Sequence, residues 1–408
     1  RILEDRSRLN SSRPATVSYT YDEIGRLKEM SYATGTVPFR IRNAFNIRDW
    51  LMSIQSSIFN MELNYDNPKT RNVLPPMSGN ISDMNWSYLS DKSRTGSYSF
   101  LYDDFSRLTS AKPYGDYYHR HEETMLYDRN GNIRVLNRCE RRDTCYQMQI
   151  NYNGDKIFSA SLDDGMDIEN VLFSYDADGR LVHDGTNGLD LSYSGIGRLQ
   201  NISKDDIQIA KYSYSADGRK LSATDRYDNG LIYIGSMVYR KQNGSIEFDS
   251  APFSHGRFVF CKNEITPHYF ITDHINSVRA ELDSNGDIIE INDYYPSGAI
   301  WKDSENRPTG NYKNRYRYNG KEEQSFLGLP YIDYGARMYN PENMMSWLTA
   351  DEQAEDFYSI SPYSFCAGNP VNIIDPDGRR IFIRHILERD NSNNVRAATV
   401  EYSLTILR

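Results

Sequence analysis

"YDADGRL", residues 175–181, is a complete instruction for reversing a chain. Tyr175 closes a strand, Asp176 is placed to bond the backbone ahead of it, Gly179 supplies the residue type most at ease with positive φ, and Arg180-Leu181 opens a return strand. The unit recurs as "YDEIGRL" (21–27), "YDDFSRL" (102–108), "YDRNGNI" (127–133), "YNGDKI" (152–157), "YSGIGRL" (193–199) and "YSADGRKL" (214–221). From Tyr102 to Tyr214 the tyrosines stand 18 to 25 residues apart, a period that fits a pair of strands per repeat and not a pair of helices. Between the turns, "DLSYS" (190–194) and "KYSYS" (211–215) alternate as half-buried strands do. The units predict a mainly β chain of hairpins stacked into one long, curling antiparallel sheet.

Composition agrees. The chain holds 32 tyrosines against 16 phenylalanines and four tryptophans, and tyrosine suits a strand because its ring packs while its hydroxyl finds a partner. With 38% hydrophobic and 25% charged residues, the 408-residue chain is neither a disordered tail nor a membrane protein, and no apolar run approaches the roughly 18 residues that span a bilayer. A net charge of −9 argues against a phosphate-binding surface, so nucleic acid is not an expected partner. The chain starts at Arg1, so a signal peptide could have stood upstream.

Four cysteines are too few for a disulfide scaffold. Cys139 and Cys145 alone could meet across a local hairpin, and two reduced thiols are the simpler expectation. The acidic turns "DADGR" and "DSNGD" lack the order of a calcium loop and read as plain turns. His119 and His121 in "HRHEE" have no third ligand cluster beside them, so neither a metal nor a cofactor is expected. Between residues 36 and 100 the repeat is blurred, and degenerate hairpins are expected there. The stretch 349–365, with acidic residues early and Pro362 to stop it, is the best candidate for a short helix.

Three further blocks carry a resemblance. "YFITDHINSVRAELDSNGDIIEINDYYPSGAIW" (269–301), "RYNGKEEQSFLGLPYIDYGARMYNPE" (317–342) and the closing "SWLTADEQ" with "SISPYSFCAGNPVNIIDPDGR" (346–379) resemble, in order and spacing, the repeat-associated core of the Rhs family. That family also includes the C subunits of insecticidal Tc toxins and, more distantly, teneurins, and its YD repeats are similar to the tyrosine units above. The resemblance covers about residues 15 to 379. It implies a spiralling, hollow β-shell (1–265), a core that plugs it (266–379), and the start of a variable, effector-like segment (380–408). It also implies a function: the shell holds a C-terminal toxic cargo, releases it by self-cleavage, and serves interbacterial or host-directed delivery. The partners implied are the chain's own cargo, a secretion-system spike or carrier, and an immunity protein. The implied location is outside the bacterial cell or on its surface.

In many members the core cuts the chain after an Asp-Pro-x-Gly-x motif. Carried over, the cut falls between Arg379 and Arg380, with Asp351 and Asp375 as the aspartyl pair and Arg337 as the residue that orients a carboxylate or carbonyl. Two carboxylates sharing a proton can activate water and protonate a departing amide nitrogen. Asp377, Asp333 and Glu322 match no such position. The chain departs from the pattern around the first aspartate, where Glu352 replaces the proline that follows it and the glycine before it is missing, and at Arg379, which replaces a leucine. The reading without catalysis is that Arg337, Asp351 and Asp375 knit the plug by ion pairs and turn bonds.

Beyond Arg379, "RIFIRHILE" and "RAATVEYSLTIL" alternate enough for two strands, and His385 has no catalytic company. The competing class is an adhesion or carbohydrate- or protein-binding module, which predicts outward tyrosine clusters and a filled interior.

Overall fold

A computed structural model describes residues 1–9, 12–35, 38–66, 68, 79–89, 91–115, 121–141, 144–261, 264–301, 314–383, 388–389 and 395–396. Twenty-six strands, from Glu4–Ser7 to Ile288–Ile291, form one antiparallel sheet in which each strand pairs with the next along the chain. The sheet therefore runs on past residue 265 through three strands of the core region.

The units whose second residue is aspartate are built the same way. The Asp176 carboxylate accepts the Asp178 and Arg180 N–H groups at 3.0 and 2.9 Å, and its other oxygen takes the Arg180 guanidinium at 2.7 Å. Asp22 with Arg26 and Asp103 with Arg107 repeat the clamp, both at 2.6 Å. The repeat tyrosines reach backwards. Tyr127, Tyr152 and Tyr193 donate to the carbonyls of Leu108, Ile133 and Leu181, the residues that opened the preceding return strands, at 2.7, 2.9 and 2.8 Å. The clamped arginines reach forwards, with Arg107 and Arg180 lying over the rings of Tyr127 and Tyr193. Each unit thus bonds both of its neighbours.

The ladder shifts register at Tyr21, Tyr102, Tyr127, Tyr152, Tyr175, Tyr193 and Tyr214, just before the turn. A bulge bends a strand and increases its twist, so repeating one at every unit curls the sheet. The curl brings early strands against late ones: the Tyr32 hydroxyl donates to the Phe270 carbonyl at 3.0 Å, and the Tyr19 hydroxyl shares a hydrogen bond with His255 Nε2 at 2.8 Å. This is the expected shell.

Residues of the 314–383 stretch pack into it. Leu327, Leu329, Tyr331, Met338 and Leu348 belong to the same continuous core as the inward residues of the wall, and the Leu181 N–H donates to the Leu348 carbonyl at 2.8 Å. A second cluster, including Tyr334, Tyr339, Trp347 and Phe365, lies within the plug. A cleft of about 1210 Å³ remains, lined by Tyr19, Arg26, His255 and Asn319 among others. Among the described residues no helix is long and apolar enough to cross a membrane.

Two expectations are corrected. Cys139 and Cys145 are bridged, because they stand directly opposite each other on paired strands. The stretch 349–365 is not a helix beyond a single 3₁₀ turn at Ala354–Asp356: it offers no apolar stripe to bury, and the Asp351 carboxylate and N–H are spent on Gln353 and the Pro362 carbonyl instead. His119 and His385 lie outside the described residues. His121 is stacked on Trp301 and hydrogen-bonded to Tyr295, and Asp283 accepts the N–H groups of Asn285 and Asp287 within its own turn. Past Arg379, Phe382–Ile383 pairs back onto Ile373–Ile374, and Glu388–Arg389 pairs with Val395–Arg396.

Candidate functional site

The pairing of Ile373–Ile374 with Phe382–Ile383 folds the intervening Asp375–Ile381 into a hairpin loop. Asp375 shapes that loop. Its Oδ1 accepts the N–H groups of Gly378, Arg379 and Asp377 at 2.7, 3.1 and 3.3 Å. Gly378 sits at φ +77°, and an added Cβ there would lie 3.0 Å from the Arg337 nitrogen, so glycine lets the loop come this close.

Arg337 follows the turn at Gly335 and precedes Met338–Asn340, a strand paired on both sides within the plug. Its guanidinium lies 4.1 Å from the centroid of the Trp347 ring. Nε donates to the Gly378 carbonyl at 2.5 Å and Nη1 to the Pro362 carbonyl at 3.3 Å. Nη2 meets both carboxylates, Asp351 Oδ2 at 2.7 Å and Asp375 Oδ2 at 3.2 Å. One nitrogen touching both oxygens keeps the two carboxyl groups within about 6 Å of each other. The structure thus brings together the three residues named from the sequence, although 14 and 24 residues separate them in turn along the chain.

The electrostatics are those of a charge cluster taken out of water. Burial raises both Asp375 and Asp351 above the ordinary carboxylate range, against the opposing pull of Arg337. Burial likewise lowers Arg337, against the attraction of both carboxylates. With both aspartates ionised, the three groups carry one net negative charge, and a single proton shared between the carboxyls removes it. Such a pair holds one acid and one base at the same moment.

Sequence reasoning missed Trp347, whose ring carries the Arg337 guanidinium, and the two carbonyls, of Pro362 and Gly378, that fix the guanidinium plane. A cation's ring and carbonyl partners leave no charge signal in a sequence. Arg379 and Arg380 stand at the rim of the site. The Arg379 N–H is held by Asp375 and Asp377, both at 3.1 Å. Glu322 and Asp333 lie elsewhere, sharing the Lys220 ammonium of the wall at 2.6 Å each. Among the described residues no three His, Cys, Asp or Glu side chains are grouped to hold a metal ion.

Known proteins place this architecture. Residues 50–371 match the family model described as teneurin YD-shell. Two Yersinia entomophaga proteins are similar. Toxin subunit YenC2 is 38% identical over 100 residues, covering 24% of this chain and 10% of that protein. Toxin subunit YenC1 is 24% identical over 287 residues, covering 62% of this chain and 28% of that one. Among solved structures, the Tc holotoxin pore of Photorhabdus luminescens superposes with a TM-score of 0.56 at 16% identity, over 97% of this chain and 23% of that chain. A TcdB2-TccC3 crystal structure gives 0.52 at 17% identity, over 90% and 22%. These likenesses show the fold. The chain spans well under a third of the length of the relatives it matches.

Proposed function

The chain belongs to the teneurin YD-shell family, and on that premise we propose that it forms part of a container whose plug cuts the chain between Arg379 and Arg380. Residues 1–265 supply most of the wall, 266–379 the plug and catalytic groups, and 380 onwards the start of the cargo. The observation that carries the reading is the buried contact of Arg337 with both Asp351 and Asp375, beside the loop that holds the bond.

The chemistry is hydrolysis. One carboxylate takes a proton from water as its oxygen adds to the Arg379 carbonyl carbon, and the C–N bond breaks as the protonated partner gives its proton to the departing Arg380 nitrogen. The products are a carboxylate at Arg379 and an amine at Arg380. Arg337 holds the Gly378 carbonyl and Asp375 the Arg379 N–H, so the peptide group immediately before the bond is fixed from both sides.

The setting follows from the same reading: an exported bacterial toxin component, assembled with a second toxin component or carrier, its cargo matched by an immunity protein. The repeat tyrosines point their hydroxyls to the backbone of neighbouring units, which disfavours an adhesion module that displays them.

Denaturing intact mass analysis of the full-length protein tests the proposal. The expected result is a new N-terminus at Arg380 in the wild type and an uncut chain in Asp351→Asn and in Asp375→Asn. A wild type that stays whole at both pH 5 and pH 8 would refute self-cleavage and leave the shell.

A further inference from the structure

Two of the residues at which this chain departs from the Rhs motif touch each other. Arg379 Nε donates to Glu352 Oε2 at 3.2 Å, and one residue on, Arg380 Nε donates to Gln353 Oε1 at 2.9 Å. The pair that follows Asp351 therefore holds, one for one, the side chains on either side of the proposed bond. Both contacts are at the surface, where an ion pair is worth about 0–1 kcal/mol, so they serve position better than stability.

The wall holds this pair in turn. Arg198 Nη1 lies 3.4 Å from Glu352 Oε1 and also donates to the Ala336 carbonyl. The Ala336 N–H donates to the Asp377 carbonyl at 3.0 Å, so Arg198 braces both flanks of the site. Its Nε is not clamped within its own turn, because Ser194 stands where several other units have aspartate. Arg26, Arg107 and Arg180 are clamped through Nε by the aspartate four residues before them. Ser194 takes only the Arg198 backbone N–H, at 3.2 Å. Arg198 Nε is buried with no hydrogen-bond partner among the described residues, and a void of about 20 Å³, room for one water molecule, lies between Arg198 and Arg337.

We propose that Glu352, braced from the wall by Arg198, and Gln353 are the specificity-determining residues of the cut, gripping Arg379 and Arg380 so that the bond between them meets the aspartate pair. This rests on the proposed self-cleavage.

A double-mutant cycle tests it on the full chain, with the fraction cut followed by intact mass. Glu352→Gln and Arg379→Gln should each slow cutting about tenfold, and the double variant should be no slower than either single one, because the same contact is lost. Singles that cut at the wild-type rate, or a double variant slowed about a hundredfold, would overturn the proposal while self-cleavage stands. A second readout does not depend on self-cleavage. In the uncut Asp375→Asn chain, trypsin should cleave after Arg379 several-fold faster once Glu352 is also changed to Gln, and an unchanged rate would overturn the grip. If the wild type is itself never cut, the failure lies with self-cleavage, and trypsin on that intact chain reads the grip in the same way.

Discussion

Asp375 has two tasks, and its two oxygens divide them. Oδ1 caps the loop through three N–H groups, and Oδ2 faces Arg337 and the Asp351 side of the site. Asparagine keeps an acceptor for the loop and removes the carboxylate, so Asp375→Asn should fold with a near wild-type melting temperature and fail to cut. Loss of the fold in this variant would make the residue structural. The pH dependence follows from the raised carboxyls. A group whose folded pKa lies above its unfolded value binds its proton more tightly in the folded chain. The contribution of Asp351 and Asp375 to stability is thus fully present below the unfolded carboxylate pKa of about 4 and is lost as pH rises through their raised values. Cutting, which needs the shared proton, should be faster at pH 5 than at pH 8, as a pH–rate profile would show. In the wall, Tyr193→Phe removes the hydroxyl bonded to the Leu181 carbonyl and should cost about 1 kcal/mol in urea unfolding.

Between wall and plug the largest tie is a buried charge network. Lys220 lies between Glu322 and Asp333, and Arg315 joins Glu322 to Asp249, which also takes Arg240. Arg315 and Arg240 hold Asp249 well below the usual carboxylate range, and Lys220 and Arg315 lower Glu322, each against the cost of burial. Here the sign is opposite to that of the aspartate pair. The stability these two residues contribute is present above the unfolded carboxylate pKa and is lost as pH falls through their lowered values. The plug should therefore stay docked at pH 5, and hydrogen exchange of residues 314–340 should rise only in stronger acid. Exchange that rises already at pH 5 would contradict the assignment.

Element by element, legibility tracked how local the determining physics was. The Asp-x-x-Gly-Arg turns were readable because each is closed within five residues. The matching turns at Asn46–Trp50, Asp225–Asn229 and Asp273–Ser277 escaped the repeat pattern because Phe45, Thr224 and Thr272 stand where the other units have tyrosine. The bulges left no trace, since the extra residue of each is an ordinary strand residue. At the site, Arg337, Asp351 and Asp375 were named through the family resemblance. Their meeting in space, the Trp347 platform and the reach of Arg198 depend on contacts between distant segments. The charges of Glu352 and Arg379 were visible as departures from the motif, and their opposite signs were the available clue that they pair.

At the scale of the whole molecule, one repeated unit builds the wall and small changes within it receive the plug. Asp at the second position clamps an arginine or asparagine within its own turn, while Arg198 and Lys220 reach from the wall to Ala336 and Glu322. A wall that curls by one bulge per unit closes on itself at Tyr32 and Phe270, and Leu327, Met338, Leu348 and Val371 share its core. The most direct test is to run the full-length protein on native size exclusion and then measure the masses in the eluted peak under denaturing conditions. One native peak containing two fragments that join between Arg379 and Arg380, with Asp375→Asn giving the same peak and a single whole chain, is the predicted result. A wild-type peak containing only the intact chain would contradict self-cleavage, and a fragment starting at Arg380 that elutes apart from the shell would contradict containment.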